Sequence, residues 1–187
     1  SLVGSEMCIR DRLEWFWNGA WRGGIQKGRM FFKDVPEAKG SLDFIGLNYY
    51  THVLVGPASV SLLKMKFPKR KHEVATEFGY PMYAEGLRRA VEFLTPLGVP
   101  IEVTENGVAD ANDTLRTEHL KRHLWVLSQA IQDGHDIRSY HHWSLMDNFE
   151  WAEGYSMRFG LHHVDFETQE RTLRGSGEAY KRIVQNN

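Results

Sequence analysis

Cysteine, net charge and long apolar runs are what this sequence lacks. Its 187 residues include one cysteine, Cys8, which excludes a disulfide framework and a zinc site built from cysteines. Lys and Arg number 23 and Asp and Glu number 24, so a net charge of −1 offers no electrostatic reason to bind nucleic acid or an anionic membrane. No stretch approaches the roughly 20 apolar residues that a bilayer-spanning helix needs. We therefore expect neither a nucleic-acid partner nor a membrane partner.

Aromatic residues and histidines, by contrast, are abundant. Hydrophobic residues make up 42% of the chain, which is enough to build the core of one globular domain. Six Trp, seven Tyr and nine His occur, many of them close to charged residues. Such mixtures are common where a protein binds sugars, because a flat ring packs on the C–H side of a pyranose and a carboxylate accepts bonds from its hydroxyls.

The first twelve residues, SLVGSEMCIRDR, do not resemble the start of a domain. They lack an initiating Met and resemble translated adapter sequence, so we expect residues 1–12 to be a non-native leader and residues 13–187 to form the domain. The alternative is an ordinary helix start, and Cys8 carries no function in either case. The cytoplasm is the default compartment for a chain with one cysteine.

Short apolar segments alternate with amphipathic ones along the chain. Buried strands are predicted at residues 42–48, 100–105 and 136–143. Helices are predicted at 85–97, at 114–133 and after Ser176; the second has an apolar face of Leu120, Leu124, Leu127 and Ile131. Trp125, within that helix, is interpreted as a core residue. This alternation favours a parallel sheet covered by helices, either a small open sheet or the last part of an eightfold β/α barrel.

Polar or aromatic residues end all three predicted strands, namely Asn48, Glu105 and Trp143. In β/α barrels the chemistry takes place at these C-terminal ends. Asn48 and Tyr50 are two residues apart, so alternation puts them on one side of their strand, whereas it puts Glu102 and Glu105 on opposite faces. Adjacent histidines at 141–142 and 162–163 likewise point apart, so we expect no metal ion and no cofactor.

Three motifs carry a family resemblance. They are VTENG at residues 103–107, DFIGLNYYT at 43–51 and WSLMDNFEWAEGYSMRFG at 143–160. In sequence, order and spacing they resemble the C-terminal part of glycoside hydrolase family 1, the retaining β-glucosidases and β-glycosidases. The resemblance implies an α/β fold, the C-terminal portion (about strands 6–8 and their helices) of a TIM (β/α)8 barrel.

The same resemblance implies roles for three residues at the strand ends. Glu105 corresponds to the family's nucleophile, which attacks the anomeric carbon and forms a covalent glycosyl-enzyme. Tyr50 corresponds to the residue that orients the nucleophile through a hydrogen bond, and Asn48 to one that positions the sugar near its 2-hydroxyl. The structural alternative for Glu105 is a carboxylate in a salt bridge at a strand end.

A second group of residues is expected to bind the non-reducing sugar. By resemblance it consists of Trp143, Glu150, Trp151 and Phe159, with Glu150 holding the 4- and 6-hydroxyls. The alternative is that the indoles and Phe159 are packing residues. A carboxylate beside the 6-position would repel a phosphate, so an unphosphorylated β-glucoside or short β-linked oligosaccharide is the expected partner.

The chain departs from the family pattern in one major respect. The Asn-Glu-Pro segment that carries the general acid/base does not occur in it, and Tyr80 stands where Trp is usual. The resemblance thus implies retaining hydrolysis of β-glucosides, β-galactosides or β-fucosides by an enzyme of which this chain holds one part, inactive by itself. The alternatives are a non-catalytic sugar-binding relative and a transglycosidase.

Overall fold

The computed structural model of the protein describes residues 20–30, 33–52 and 71–186. The leader expected at residues 1–12 lies outside these ranges. The first described elements are helix α1 (Ala20–Lys27) and an antiparallel pair of two-residue strands, β1 (Arg29–Met30) and β2 (Lys33–Asp34). Alternating strands and helices follow: β3 (Ile45–Asn48), α2 (Ala84–Leu94), β4 (Ile101–Asn106), α3 (Arg116–Gln132) and β5 (Ile137–His142). A second antiparallel pair, β6 (His162–Val164) and β7 (Arg171–Leu173), precedes α4 (Gly175–Gln185).

The central feature is a parallel sheet in the order β3-β4-β5. β3 and β5 lie within the segments predicted from the sequence, β4 extends one residue beyond its predicted end at Glu105, and the strand–helix alternation is confirmed. The register pairs Ile45 with Ile101 and Asn48 with Glu105. Because parallel strands end at the same edge of a sheet, the segments after Asn48, Asn106 and His142 meet at that edge.

The hydrophobic core lies between the sheet and helices α2 and α3. Leu87 and Val91 of α2 and Ile101 and Val103 of β4 are at most 1% exposed. The residues that alternate with them on β4, Glu102 and Thr104, are only partly buried. This is the period of two expected of a strand with one face against the core.

The buried face of α3 differs from the predicted one. Trp125 is 63% exposed and Ile131 is 51% exposed, so the interpretation of Trp125 as a core residue is wrong. Leu120 and Leu127 of the predicted face are buried, together with Arg116, His119, His123, Val126 and Ala130. Two histidines and an arginine thus share the interior side, so hydrophobicity identified only part of the helix face.

The predicted second helix ends where its pattern indicates and starts two residues later than predicted. It begins at Arg116 and its cap residue Asp133 is followed by Gly134, whose φ of 94° is the left-handed conformation that glycine adopts easily. The first predicted helix, 85–97, is α-helical only to Leu94 and continues as a 3₁₀ turn at Thr95–Leu97. The last helix is preceded by Arg174 rather than capped by Ser176.

Two stacked histidines lie under the sheet. The rings of His119 and His123, four residues apart on α3, have centroids 3.8 Å apart, and both side chains are buried. Burial is the main reason why the pKa of His123 falls to about 4 and that of His142, on β5, to about 3. Burial, His123, His142 and the Arg116 guanidinium also hold the pKa of His119 well below its usual value.

Acidification is therefore expected to destabilise the fold. The unfolded chain binds more protons than the folded one below about pH 6.5, so stability is complete above that pH and falls as the pH drops toward 4. Each such histidine contributes about 1.4 kcal/mol per pH unit in that window. Urea unfolding at pH 7, 6 and 5 measures the slope. Removing the buried His119 with His119→Phe should lower this slope by about one proton; an unchanged slope would contradict the prediction.

None of the helices in the described ranges combines the length and the apolar character needed to cross a membrane. Within the same ranges, no group of three or more His, Cys, Asp or Glu is arranged to hold a metal ion.

Candidate active site

Glu105 and Tyr50 form a hydrogen-bonded pair at the C-terminal edge of the sheet. Glu105 is the last but one residue of β4 and pairs in register with Asn48, and Tyr50 follows β3. The Tyr50 hydroxyl donates to Glu105 Oε2 over 2.8 Å. Burial and this bond to the carboxylate raise the pKa of Tyr50, so the phenol keeps its proton and remains a donor.

Glu105 does not follow the simple alternation of β4. Ile101, Val103 and Asn106 are buried, whereas Glu102 and Glu105 are both partly exposed. A shift in register after Leu47 on the β3 side places Thr104 as an extra residue in this stretch. The prediction that Glu102 and Glu105 face opposite sides assumed an unbroken ladder, and this bulge is the reason why it is wrong.

Asn48 is bonded to the strand that carries Glu105. Thr104 Oγ1 donates to Asn48 Oδ1 over 2.6 Å, and Asn48 is exposed. Because this bond uses the oxygen of the amide, Nδ2 is the atom with which Asn48 can donate to a sugar hydroxyl.

Trp143 and Glu150 form a second pair in the loop after β5. Trp143 Nε1 lies 3.3 Å from Glu150 Oε2, to which it donates. The backbone N–H of Trp143 donates to Asn106 O over 2.9 Å, which attaches this loop to the end of β4. Trp151 begins a 3₁₀ turn, Trp151–Glu153, and is 80% exposed, so its indole is available to a ligand rather than used in packing.

An ion pair between buried side chains holds the same loop in place. Asp147 accepts bonds from Arg174 Nη1 at 2.9 Å and Nη2 at 3.0 Å, and from the Gly160 N–H at 2.9 Å. Burial opposes ionisation of Asp147, but these donors outweigh it and keep the pKa of the carboxyl below its usual range. A Cβ at Gly160 would overlap the backbone at Met146 and Asp147, so only glycine permits this close approach.

A row of aromatic rings begins at Tyr50. Phe159, only 5% exposed, packs edge-on against Tyr50 with centroids 6.1 Å apart, and Phe78 lies 6.2 Å from Phe159. Tyr80 is next, 4.6 Å from Phe78, and burial together with the charges of Glu150 and Glu153 raises the pKa of Tyr80.

All seven residues singled out from the sequence thus lie at one edge of the sheet or in the loop that packs on it. Sequence reasoning missed three others that build the site: Thr104, Asn106 and Phe78. Thr104 and Asn106 flank Glu105 within the VTENG motif, where their contacts were not anticipated. For Phe78 the sequence offers no indication of a role other than its position two residues before Tyr80, whose ring it contacts.

Comparison with known proteins shows the family to which the chain belongs. A model of the family described as glycosyl hydrolase family 1 matches residues 25–187. A β-galactosidase of Saccharolobus solfataricus is 37% identical over 192 residues, which cover 97% of this chain and 39% of that protein. A β-glucosidase of Agrobacterium sp. is 41% identical over 211 residues, which cover 96% of this chain and 45% of that protein.

A solved structure shows the same fold. The β-glucosidase from Thermotoga maritima in complex with noeuromycin superposes with a TM-score of 0.85 at 31% identity, over 98% of this chain and 48% of that one. The chain therefore belongs to glycosyl hydrolase family 1, and its strands and helices are part of the TIM (β/α)8 barrel of that family. It spans less than half the length of each of these relatives.

Proposed function

We propose that the chain is the C-terminal portion of a retaining β-glycosidase in which Glu105 is the nucleophile. The observation that carries the proposal is the 2.8 Å bond from Tyr50 to Glu105 Oε2 at the C-terminal edge of a parallel sheet. A carboxylate with one oxygen held by a protonated phenol keeps its other oxygen available for attack. Family membership supports the activity class, since the relatives are named β-glucosidases and β-galactosidases.

The reaction has two displacements. The Glu105 carboxylate attacks the anomeric carbon while the leaving oxygen takes a proton from an acid that this chain does not supply. The glycosyl–Glu105 ester then forms with one inversion, and water, deprotonated by the same acid/base, breaks it with a second. The product keeps the β configuration. Tyr50 holds the carboxylate in the attacking orientation, and Asn48 donates to a hydroxyl of the sugar.

The sugar is bound by the loop after β5. Glu150 accepts hydrogen bonds from two neighbouring hydroxyls, and its bond from Trp143 Nε1 orients it. The indoles of Trp143 and Trp151 pack on the C–H side of the ring. Phe159 acts by packing beneath Tyr50, because it is too buried to offer much surface to the sugar.

The substrate is an unphosphorylated β-glucoside, β-galactoside or β-fucoside, or a short β-linked oligosaccharide. In this proposal Glu150 lies beside the 6-hydroxyl of the sugar, and its charge would repel a phosphate at that position. The aromatic row through Phe78 and Tyr80 extends away from Tyr50 and offers a surface to the leaving group.

The 187-residue chain by itself is proposed to be inactive. It contains no Asn-Glu-Pro segment, and retaining chemistry requires a second carboxyl about 5–5.5 Å from the first. Without that acid nothing protonates the leaving oxygen, so the glycosidic bond is not cleaved.

The test is to join residues 13–187 to the N-terminal part of Thermotoga maritima β-glucosidase A, a relative 38% identical over 172 residues. This completed barrel should hydrolyse aryl β-glucosides, and proton NMR should find the β anomer formed first. The 187-residue chain alone serves as the control and should release no aryl group. A first-formed α anomer, or hydrolysis by the chain alone, would contradict the proposal.

The same experiment separates the alternatives. A folded completed barrel that binds glucosides without cleaving them supports a sugar-binding relative. Transfer of the glycosyl group to added alcohols in preference to water supports a transglycosidase.

Tyr50→Phe in the completed barrel is expected to lower kcat/KM by about 10- to 100-fold. The change removes one hydrogen bond to a charged group, worth about 1.5–3 kcal/mol. The matched control is Tyr155→Phe, which removes the hydroxyl of a 55% exposed phenol in the loop after β5. Steady-state rates on one aryl glucoside measure both, and equal rates for the two variants would contradict the role of Tyr50.

A further inference from the structure

Asn106, the residue after Glu105, is completely buried and uses both ends of its amide. Its Nδ2 donates to the backbone carbonyl of Tyr49 over 2.6 Å, and its Oδ1 accepts from the Tyr140 hydroxyl over 2.9 Å. Tyr49 follows β3 and Tyr140 lies in β5. One side chain in β4 therefore ties the strands on both of its sides together.

The backbone is bonded at the same place. The Tyr49 N–H donates to Glu105 O over 2.9 Å, and the Trp143 N–H donates to Asn106 O over 2.9 Å. At Gly107 a Cβ would overlap the carbonyl of Trp143, so the chain after Asn106 passes close to the start of the loop after β5. Two residues of this network are thus next to residues of the candidate site: Tyr49 to Tyr50, and Asn106 to Glu105.

In the observed arrangement, both the nitrogen and the oxygen of the Asn106 amide have a hydrogen-bond partner. A buried amide that loses a partner pays the full cost of desolvation, which makes the alternatives unfavourable. Burial also raises the pKa of Tyr140, so its hydroxyl remains a donor. A shift of the Tyr49 backbone would break the bond to Asn106 and would carry Tyr50 away from Glu105.

We propose that Asn106 is a positioning residue, which sets the distance between Tyr50 and Glu105 by fixing the backbones of β3 and β4, with Tyr140 as its support. The inference rests on the proposed function of Glu105 and Tyr50. Asn106 touches neither the substrate nor the reacting atoms; it acts on the geometry of the attack. The step that it governs is formation of the glycosyl-enzyme.

The experiment uses the completed barrel and 2-deoxy-2-fluoro-β-glucosyl fluoride, which traps the glycosyl-enzyme. Asn106→Ala removes both bonds, and Tyr140→Phe removes one and keeps the ring. Thr95→Val is the control, because it also removes a hydroxyl that donates to a carbonyl, Val91 O at 2.9 Å, but at the opposite end of the sheet. The measurements are the first-order inactivation rate, the inhibition constant of glucose and the melting temperature.

Asn106→Ala should slow inactivation about 100-fold, and Tyr140→Phe should slow it about tenfold. Losses of this size are expected when a reacting group is displaced by up to about 1 Å. The inhibition constant of glucose should stay within about twofold for both. The double variant should be no slower than Asn106→Ala alone, because residues that act as one unit are not additive. Thr95→Val should lower the melting temperature and leave the inactivation rate unchanged.

Inactivation rates of Asn106→Ala and Tyr140→Phe equal to that of Thr95→Val would overturn the inference, and so would losses that multiply in the double variant. If Asn106→Ala does not fold, Tyr140→Phe decides the question by itself. Failure of the proposed function is distinguishable, because the unaltered completed barrel would then carry no label on Glu105.

Discussion

Glu105→Gly in the completed barrel is expected to abolish hydrolysis of β-glucosides. No covalent intermediate can form without the carboxylate, and loss of a nucleophile costs a factor on the order of 10⁴ to 10⁶ in kcat. Tyr50 would then lose the acceptor 2.8 Å from its hydroxyl, but the binding residues Trp143 and Glu150 would be unchanged. KM should therefore change much less than kcat, and initial rates on an aryl β-glucoside measure both.

Azide should restore turnover in this variant with the opposite stereochemistry. It can occupy the space that the carboxylate leaves and attack the anomeric carbon directly, so one inversion yields the α-glucosyl azide. The matched control is Glu102→Gly, which removes a carboxylate from the same strand and introduces the same flexible residue. Near-parental hydrolysis by Glu105→Gly, or a 2-fluoroglucosyl label on Glu102, Glu150 or Glu153, would contradict the assignment.

Glu150→Ala is expected to lower kcat/KM on glucosides by about 100-fold or more. The variant loses bonds from two sugar hydroxyls, and a hydrogen bond to a charged group is worth about 1.5–3 kcal/mol. It also leaves Trp143 Nε1 without the acceptor 3.3 Å away, so the indole loses part of its orientation. Rates on aryl β-glucosides measure the loss. Rates on the corresponding 4-deoxy and 6-deoxy glucosides show which hydroxyl is responsible for it.

Glu153→Ala provides the comparison, since Glu153 is an exposed carboxylate on the same turn. It should keep most of the activity on glucosides. A 6-phosphoglucoside should suffer less from Glu150→Ala than the unphosphorylated substrate, or should improve, because the variant removes a like charge. Equal activity of Glu150→Ala and its parent on both substrates would contradict the subsite.

Much of the fold was predictable because the sheet is buried on one side by helices. Such strands are short and apolar, and all three were found within a few residues of their observed bounds. The buried face of α3 was predicted only in part from hydrophobicity, because Arg116, His119 and His123 are also buried there while Trp125 is exposed. Arg116 can be buried because Asp113 and the backbone carbonyl of Asp110 accept hydrogen bonds from its guanidinium. The sequence does not reveal these partners.

The candidate site was likewise predictable only in part. The pairing of Tyr50 with Glu105 follows from strand ends that meet at one edge of a parallel sheet, and the motifs pointed to it. The bulge at Thr104 and the role of Asn106 did not follow, because both depend on contacts between residues 34 to 57 positions apart.

The sequence by itself determined the family, the alternation of strands and helices and the residue types at the strand ends, because these depend on local pattern and motif. Only the tertiary structure decided which atoms bond: Tyr50 to Glu105, Trp143 to Glu150, and Asn106 to both neighbouring strands. The physical reason is that a hydrogen bond requires heavy atoms within about 3 Å, and a register shift of one residue changes which side chains satisfy that distance.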